Sequence, residues 1–345
     1  PERLLDATCR LRVAGVDEPI GTIFCGGGTP TILPPDELAA LLDALSPTAR
    51  QNACVEFTVE ANPATVDDAK ARMLVAGGVT RVSMGAQSFF ADELAALERL
   101  HTPDDIAPSV ATLRRQRVAQ INLDLMFGIA GQTLDTWRES LRRAIDLGVD
   151  HIACYGLTYE PGTRLTAQRR RGLIQPCDEG LEADMFLLAN EVLAAAGFRQ
   201  YEISNYARPA CRCRHNLTYW RNEPYIGVGP SAAGCINGRR YKNLADIPGY
   251  IRMIDEHGHA EAESEAVTRD VLINEIIMMQ LRLTDGLRVQ AFRDRVGVDP
   301  IALLAPALDR LVELGKVVVS DTHITLTPAG RLVADAVMTE LACAA

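Results

Sequence analysis

Apolar and polar positions alternate in blocks along the first two hundred residues. Short apolar runs at 22–25, 55–59, 81–84, 120–125 and 151–157 read as buried strands. Between them lie longer stretches with helical periodicity, at 35–45, 67–76, 92–99, 103–117, 134–147 and 178–196, and residues 2–13 also read as helix. The helix ends carry their own signals. Pro35 and Asp36 suit a first turn, and Gly77-Gly78 and Gly148 suit C-terminal stops. A last strand is read at 200–203. Strand and helix recur at intervals of about 30 residues, which argues for parallel βα units joined by right-handed crossovers. The expected class is α/β, with a full or partial βα barrel over residues 1–203. An open, doubly wound sheet is the alternative, because sequence alone gives no strand order.

Polar residues gather where these strands end. The first runs into Gly26-Gly-Gly-Thr-Pro-Thr31, a loop whose glycines allow close backbone approach to a ligand and whose proline fixes the exit. No Gly-Lys-Ser/Thr follows, so it is not a Walker A loop. Glu60, Gln87 and Asp124 fall at or near the ends of the next three strands. In βα barrels that edge is the active-site face. Turn formation also draws polar residues to strand ends, but a Glu, a Gln and an Asp within apolar strands need partners when buried.

After residue 203 the pattern breaks. Residues 204–254 read as a connecting segment rich in Asn, Arg, Gly and aromatics, and 255–266 as an acidic linker. Residues 267–345 read as a small separate domain, with helices at 267–283, 289–296 and 300–314, a hairpin over 316–326 and a last helix from Pro328. Three helices and a two-stranded wing resemble a winged helix. That domain holds eight Lys/Arg against ten Asp/Glu, so it lacks the positive footprint of a groove reader.

Composition narrows the class further. A net charge of −10 over 345 residues argues against general nucleic-acid binding. No apolar run reaches the ~18 residues of a membrane span. Nine cysteines, odd in number and irregularly spaced, suit a reducing, cytoplasmic compartment better than a disulfide framework. Among the histidines, His215 stands out. Imidazole is a common axial ligand of haem iron, and Tyr219 and Trp220 offer flat apolar surface to a macrocycle. A loop histidine bonded to backbone is the plainer reading. Cys211 and Cys213 match zinc spacing poorly, and Cys9, Cys54, Cys154, Cys177, Cys235 and Cys343 read as isolated thiols.

Four motifs together, Gly26-Gly-Gly-Thr-Pro-Thr31, Glu60-Ala-Asn-Pro63, Ser83-Met-Gly-Ala-Gln-Ser88 and Asn122-Leu-Asp-Leu-Met-Phe-Gly128, resemble the radical S-adenosylmethionine branch around oxygen-independent coproporphyrinogen III oxidase. The resemblance covers nearly the whole chain. Within the branch, Tyr201-Glu-Ile-Ser-Asn-Tyr-Ala-Arg-Pro209 and the His-Asn-x-x-Tyr-Trp run of His215, Asn216, Tyr219 and Trp220 are similar to the haem-chaperone group. The resemblance implies that Gly27, Gly28 and Thr29 run along the methionine end of S-adenosylmethionine, and that Glu60, Gln87, Arg99 and Asp124 complete its contacts. It implies haem at His215, Asn216, Tyr219 and Trp220, with His215 on the iron, and a haem-accepting apoprotein as partner. It further implies a [4Fe–4S] cluster on Cys-x-x-x-Cys-x-x-Cys, a spacing that occurs nowhere in residues 1–345. In relatives that motif precedes the glycine-rich strand, and this chain opens on Pro1, so the expectation is a barrel lacking its first strand and a cluster motif upstream. As it stands, the polypeptide should not perform radical chemistry. The resemblance leaves three functions open: haem chaperone, coproporphyrinogen III oxidase, and cluster-free binding module.

Overall fold

The structure, a computed structural model, describes residues 20–51 and 54–345. The helix read over 2–13, with Cys9, lies outside the described residues. The described chain falls into two compact units, one ending at Cys213 and the other running from Arg214 to Ala345.

In the first unit, β1 (Thr22–Cys25), β2 (Glu56–Ala61), β3 (Arg81–Gln87), β4 (Gln120–Phe127) and β5 (His151–Gly156) are parallel and lie side by side in chain order. A doubly wound sheet reverses direction about its first strand. This one never does, so the sheet winds one way as an open, partial barrel. The helices between the strands are α1 (Pro35–Gln51), α2 (Asp68–Ala76), α3 (Ala91–Ala96), α4 (Ile106–Arg115) and α5 (Leu134–Asp146). After β5 come α6 (Arg164–Arg170), which sequence periodicity did not suggest, and α7 (Glu179–Ala195).

The strand expected at 200–203 is instead a reversal. β6 (Arg199–Gln200) and β7 (Asn205–Ala207) form a short antiparallel hairpin, and β7 pairs antiparallel with β5. No helix separates the two pieces, so the chain turns back instead of crossing over. The Glu202 carboxylate shapes that turn by accepting from the Ser204 amide and the Asn205 side chain.

Side-chain alternation along β2–β5 puts Phe57, Val59, Val82, Met84, Ile121, Leu123, Leu125 and Ile152 on the helix-facing side. On α5, Trp137, Leu141 and Ala144 are buried at helical spacing. Trp137 lies 5.6 Å from the Phe127 ring and donates its indole N–H to the Met185 carbonyl at 2.9 Å.

The second unit opens with α8 (Arg214–Trp220), so the motif read within a connecting segment is helical. β8 (Ala233–Ile236), β9 (Arg239–Asn243) and β10 (Glu261–Ala266) form an antiparallel sheet, with α9 (Ile247–His257) between the last two. β10 occupies half of the segment read as an acidic linker. Its composition is that of solvated chain, but Arg239 pairs with Glu261 and Arg240 with Glu265 across the strands, so an exposed edge is held by charge. Beyond it lie α10 (Arg269–Gln280), β11 (Leu287–Arg288), α11 (Val289–Val296), α12 (Pro300–Glu313), β12 (Val317–Val319), β13 (His323–Leu326), α13 (Pro328–Arg331) and α14 (Ala334–Ala344). β13 sits between β11 and β12, which gives the expected helices and wing. Among the described residues no helix is long and apolar enough to cross a membrane.

Replacing Trp137 by Phe should cost about 2–3 kcal/mol, from lost volume and the lost indole hydrogen bond to the Met185 carbonyl. Chemical denaturation of the full chain measures it, and a loss below about 0.5 kcal/mol would contradict this packing.

Candidate functional site

The positions that alternate with the apolar set point to the other face of the sheet, and there they are polar. Glu56 and Thr58 on β2, Arg81 and Ser83 on β3, Asn122 on β4 and His151 on β5 are all buried. Parallel strands are usually apolar on both faces. A polar face under burial needs partners; Ser83, Asn122 and His151 find theirs in a directed chain, whereas Thr58 Oγ1 and Arg81 Nε have none among the described residues.

The chain ends on Asp124. Ser83 Oγ donates to Asp124 Oδ2 at 3.2 Å, and Asn122 Nδ2 donates to Asp124 Oδ1 at 2.8 Å and to Ser83 Oγ at 2.7 Å. With its amide committed as donor, Asn122 must accept at Oδ1, from His151 Nδ1 at 2.6 Å. His151 Nε2 then accepts from the Tyr201 hydroxyl at 2.9 Å, and that oxygen accepts the Cys213 amide at 3.3 Å. Each donation runs toward the Asp124 carboxylate, which fixes His151 as the neutral Nδ1–H tautomer. Burial, helped by the Arg81 charge, holds His151 well below the usual imidazole range.

The glycine loop meets this face from the end of β1. A Cβ on Gly26 would lie 2.7 Å from the Glu60 carboxyl group, so only glycine permits the approach. Gly27 has φ +81°, and its amide hydrogen bonds to the Glu60 carboxylate. A Cβ on Gly27 or Gly28 would meet nothing within 4 Å, so the loop presents an open backbone surface beside Glu60. Thr29 Oγ1 accepts from Asn62 Nδ2 at 2.9 Å, tying the loop to the Glu60-Ala-Asn-Pro63 turn. Gln87 is buried at the end of β3 with φ +63°, next to a register shift in the pairing with β4. A residue other than glycine rarely adopts that conformation, and such strain is stored where a side chain must be aimed. Its amide crosses so close over Gly85 that a Cβ there would be 2.9 Å from Gln87 Nε2.

Glu60, Gln87 and Asp124 thus lie at the ends of neighbouring strands beside the loop. Glu60 pairs in register with Ser83, and Asp124 with Gly85. Burial pushes both carboxyls up, and for Glu60 the Asp124 charge adds to the effect. Arg99, read on a helix, follows α3 in an exposed segment; its charge pulls Asp124 down against the burial. Ser83, Asn122, His151, Tyr201 and Cys213 escaped the sequence reading as site residues. Their signal was the period-2 alternation within the strands, visible once the polar positions are counted as a face and not as strand ends.

The donor set suits S-adenosylmethionine: an open glycine backbone, two carboxylates and an amide for ammonium and hydroxyl groups. It does not suit a [4Fe–4S] cluster. The described cysteines are unpaired by disulfides, burial pushes Cys25 up to about 12, and no group of three metal-ligating side chains occurs among the described residues. Cys213 donates to Glu56 Oε1 at 3.3 Å and so belongs to the polar face of the sheet.

In the second unit, α8 carries the His-Asn-x-x-Tyr-Trp motif. Buried Leu217 anchors the helix, while His215 and Asn216 are partly exposed and Tyr219 is exposed. His215 Nε2 lies 3.0 Å from the Tyr219 hydroxyl, one helical turn on. The Tyr225 ring meets Tyr219 edge-on at 4.7 Å. The Arg282 guanidinium stacks 4.7 Å from the Trp220 ring.

His151 sets a pH dependence. Neutral in the fold, it takes a proton only after unfolding, so stability should fall as pH drops below about 6.5, by up to about 1.4 kcal/mol per pH unit. The raised Asp124 and Glu60 act oppositely: above their unfolded range the fold binds the extra protons, so their contribution grows as pH falls. Subtracting the His151→Asn profile from that of the native chain isolates the histidine, since His101, also lowered by burial, remains in both. Parallel profiles between pH 7 and about 5 would contradict a buried neutral His151.

Comparison with known proteins places the chain. The Radical SAM superfamily profile matches residues 10–144, and the HemN C-terminal domain profile matches residues 267–333. The chain is 35% identical over 317 residues to heme chaperone HemW of Bacillus subtilis, covering 92% of this chain and 84% of that protein. It is 34% identical over 343 residues to heme chaperone HemW of Mycobacterium tuberculosis, covering 98% and 85%. The solved structure of coproporphyrinogen III oxidase (HemN) from Escherichia coli, described as a radical SAM enzyme, superposes with a TM-score of 0.81 at 22% identity, over 99% of this chain and 82% of that one, a likeness of fold. With two HemW proteins aligned along nearly its whole length, the chain belongs to the HemW family of radical SAM proteins.

Proposed function

We propose that this protein is a haem chaperone, which binds haem on α8 and passes it to a haem-accepting apoprotein in the cytoplasm, with S-adenosylmethionine held at the glycine loop in support. The observation that carries the reading is the His215–Tyr219 pair on an exposed helix, flanked by Tyr225 and Trp220. A carrier has to release its cargo. An exposed shelf with an iron-binding pair suits that better than a closed pocket, and Arg282 over Trp220 offers a guanidinium for a propionate. Asn216, the remaining motif residue, would contribute hydrogen bonding beside the pair.

At the other site, the amides of Gly27 and Gly28 and the hydroxyl of Thr29 would run along the methionine moiety. Glu60 would take the ammonium group or the ribose hydroxyls, with Gln87 as a further polar contact. Asp124, fixed as an acceptor by its hydrogen-bonded chain, would face the cofactor from the sheet, and Arg99 would balance the acidic pair. Bound S-adenosylmethionine supplies a sulfonium whose cleavage requires an electron donor, and the cysteines for a [4Fe–4S] cluster are not among these residues. No radical step is therefore assigned to them.

The two sites should be separable by mutation. Gly26→Ala, which drives a methyl group into Glu60, should weaken S-adenosylmethionine binding at least about tenfold in calorimetric titration, while haem binding followed by absorption stays unchanged. The double substitution His215→Ala with Tyr219→Phe should do the reverse. Haem binding that survives the double substitution would remove α8 as the site. Oxidative decarboxylation of coproporphyrinogen III by the protein would favour the oxidase instead.

A further inference from the structure

We propose that the second unit anchors its cargo by a carboxylate, taken by Arg282 beside Trp220, so that iron-free porphyrin is a ligand as well as haem. The inference rests on the reading of α8 as the cargo site and concerns which part of the cargo is recognised. It starts from an imbalance of charge. In this unit Arg239, Arg240, Arg293 and Arg310 each pair with a carboxylate. Three other arginines converge on the turn that ends α8 and meet no carboxylate among the described residues. Arg282 lies over the Trp220 ring at 4.7 Å. Arg295, on α11, donates to the Asn222 carbonyl at 2.6 Å and the Arg221 carbonyl at 3.3 Å. Arg221 itself is exposed. Positive charges gathered without a counter-charge raise the local potential and draw in an anion.

The arginines beside the turn are used differently. Arg295 caps the helix: its two bonds close carbonyls that the end of α8 leaves open, where Asn222 turns the chain at φ +54°. Gln280 Nε2 shares the Arg221 carbonyl at 3.5 Å. Arg282 has no such bond. Its Nε is shut from water without an acceptor, as is the Trp220 indole Nε1, so the guanidinium is held against the ring by stacking. The residue is partly exposed, and its two terminal nitrogens find no acceptor among the described residues. That planar fork matches a carboxylate with two parallel hydrogen bonds.

The surroundings select the rest of the ligand. Trp220 follows Tyr219 on α8, and the Tyr225 ring meets Tyr219 edge-on, so aromatic surface adjoins the cation. A flat apolar ligand ending in a carboxylate satisfies both, and a tetrapyrrole with propionates is such a ligand. A phosphate ion would gain the guanidinium but not the rings. None of these contacts touches the centre of the macrocycle, so removing the metal leaves them in place.

Titrations of the full chain with ferric haem, iron-free protoporphyrin and protoporphyrin dimethyl ester, followed by absorption, test this. Iron-free protoporphyrin should bind within about tenfold of haem, and the ester, which keeps the rings but loses the charges, at least about tenfold more weakly than the acid. Arg282→Gln should weaken haem and protoporphyrin by about tenfold and leave the ester unchanged, a coupling that pairs Arg282 with the carboxylate. The comparison of acid with ester uses the native chain, so it stands even if the variant fails to fold. If the ester binds as tightly as the acid, the proposal falls, while haem binding lost in the double substitution His215→Ala with Tyr219→Phe keeps α8 as the site. If iron-free protoporphyrin fails to bind where haem does, iron is the anchor and the proposal falls likewise. Displacement of protoporphyrin by millimolar inorganic phosphate would mark a general anion site and overturn it too. If neither haem nor protoporphyrin binds, the reading of α8 falls with the proposal.

Discussion

Burial pushes the Asp124 carboxyl above its usual range, and the inner face of the sheet is built around donors that oppose that rise. Two donors close on it directly, from Ser83 and Asn122, and behind them His151, Tyr201 and the Cys213 amide each donate one step forward. A buried carboxylate without such partners would take up a proton. The direction of the chain has consequences beyond the carboxylate. It makes Asp124 an acceptor toward anything at the open edge, keeps His151 neutral, and spans β3, β4, β5 and the hairpin that follows. The glycine loop completes the arrangement at the other carboxylate, because a Cβ on Gly26 would run into the Glu60 carboxyl group and the Gly27 amide donates to it.

The second unit solves a different problem. Its motif helix is short, anchored by one buried leucine, and presents aromatic and imidazole groups near the surface. Cofactor binding benefits from a rigid, preorganised cradle. A cargo site would need access in both directions, which the partly exposed His215 and exposed Tyr219 would offer. The two proposed kinds of site would call for opposite degrees of burial, and their residues lie in separate units.

Much of the first unit was legible because its signals are local. Apolar runs marked the strands, glycines marked the helix ends, and strand-end polar residues marked Glu60, Gln87 and Asp124. The reversal at Glu202 was not legible, since an antiparallel hairpin and a last parallel strand share the same residue preferences and differ only in pairing. β10 was missed because its stability lies in Arg239 and Arg240 more than twenty residues upstream, not in its own acidic composition. α8 was missed because its seven residues are too few for periodicity to show. The buried polar chain was missed for a subtler reason. Ser83, Asn122 and His151 look unremarkable one by one, and their meaning appears only when strand register brings them to one face.

Amide hydrogen exchange of the full chain, measured with and without ferric haem, tests the central claim most directly, that cargo is held on the motif helix and not on the sheet. Haem should slow exchange in peptides covering residues 214–225 and leave β2, β3 and β4 unchanged. Protection confined to those strands, with none in 214–225, would contradict it.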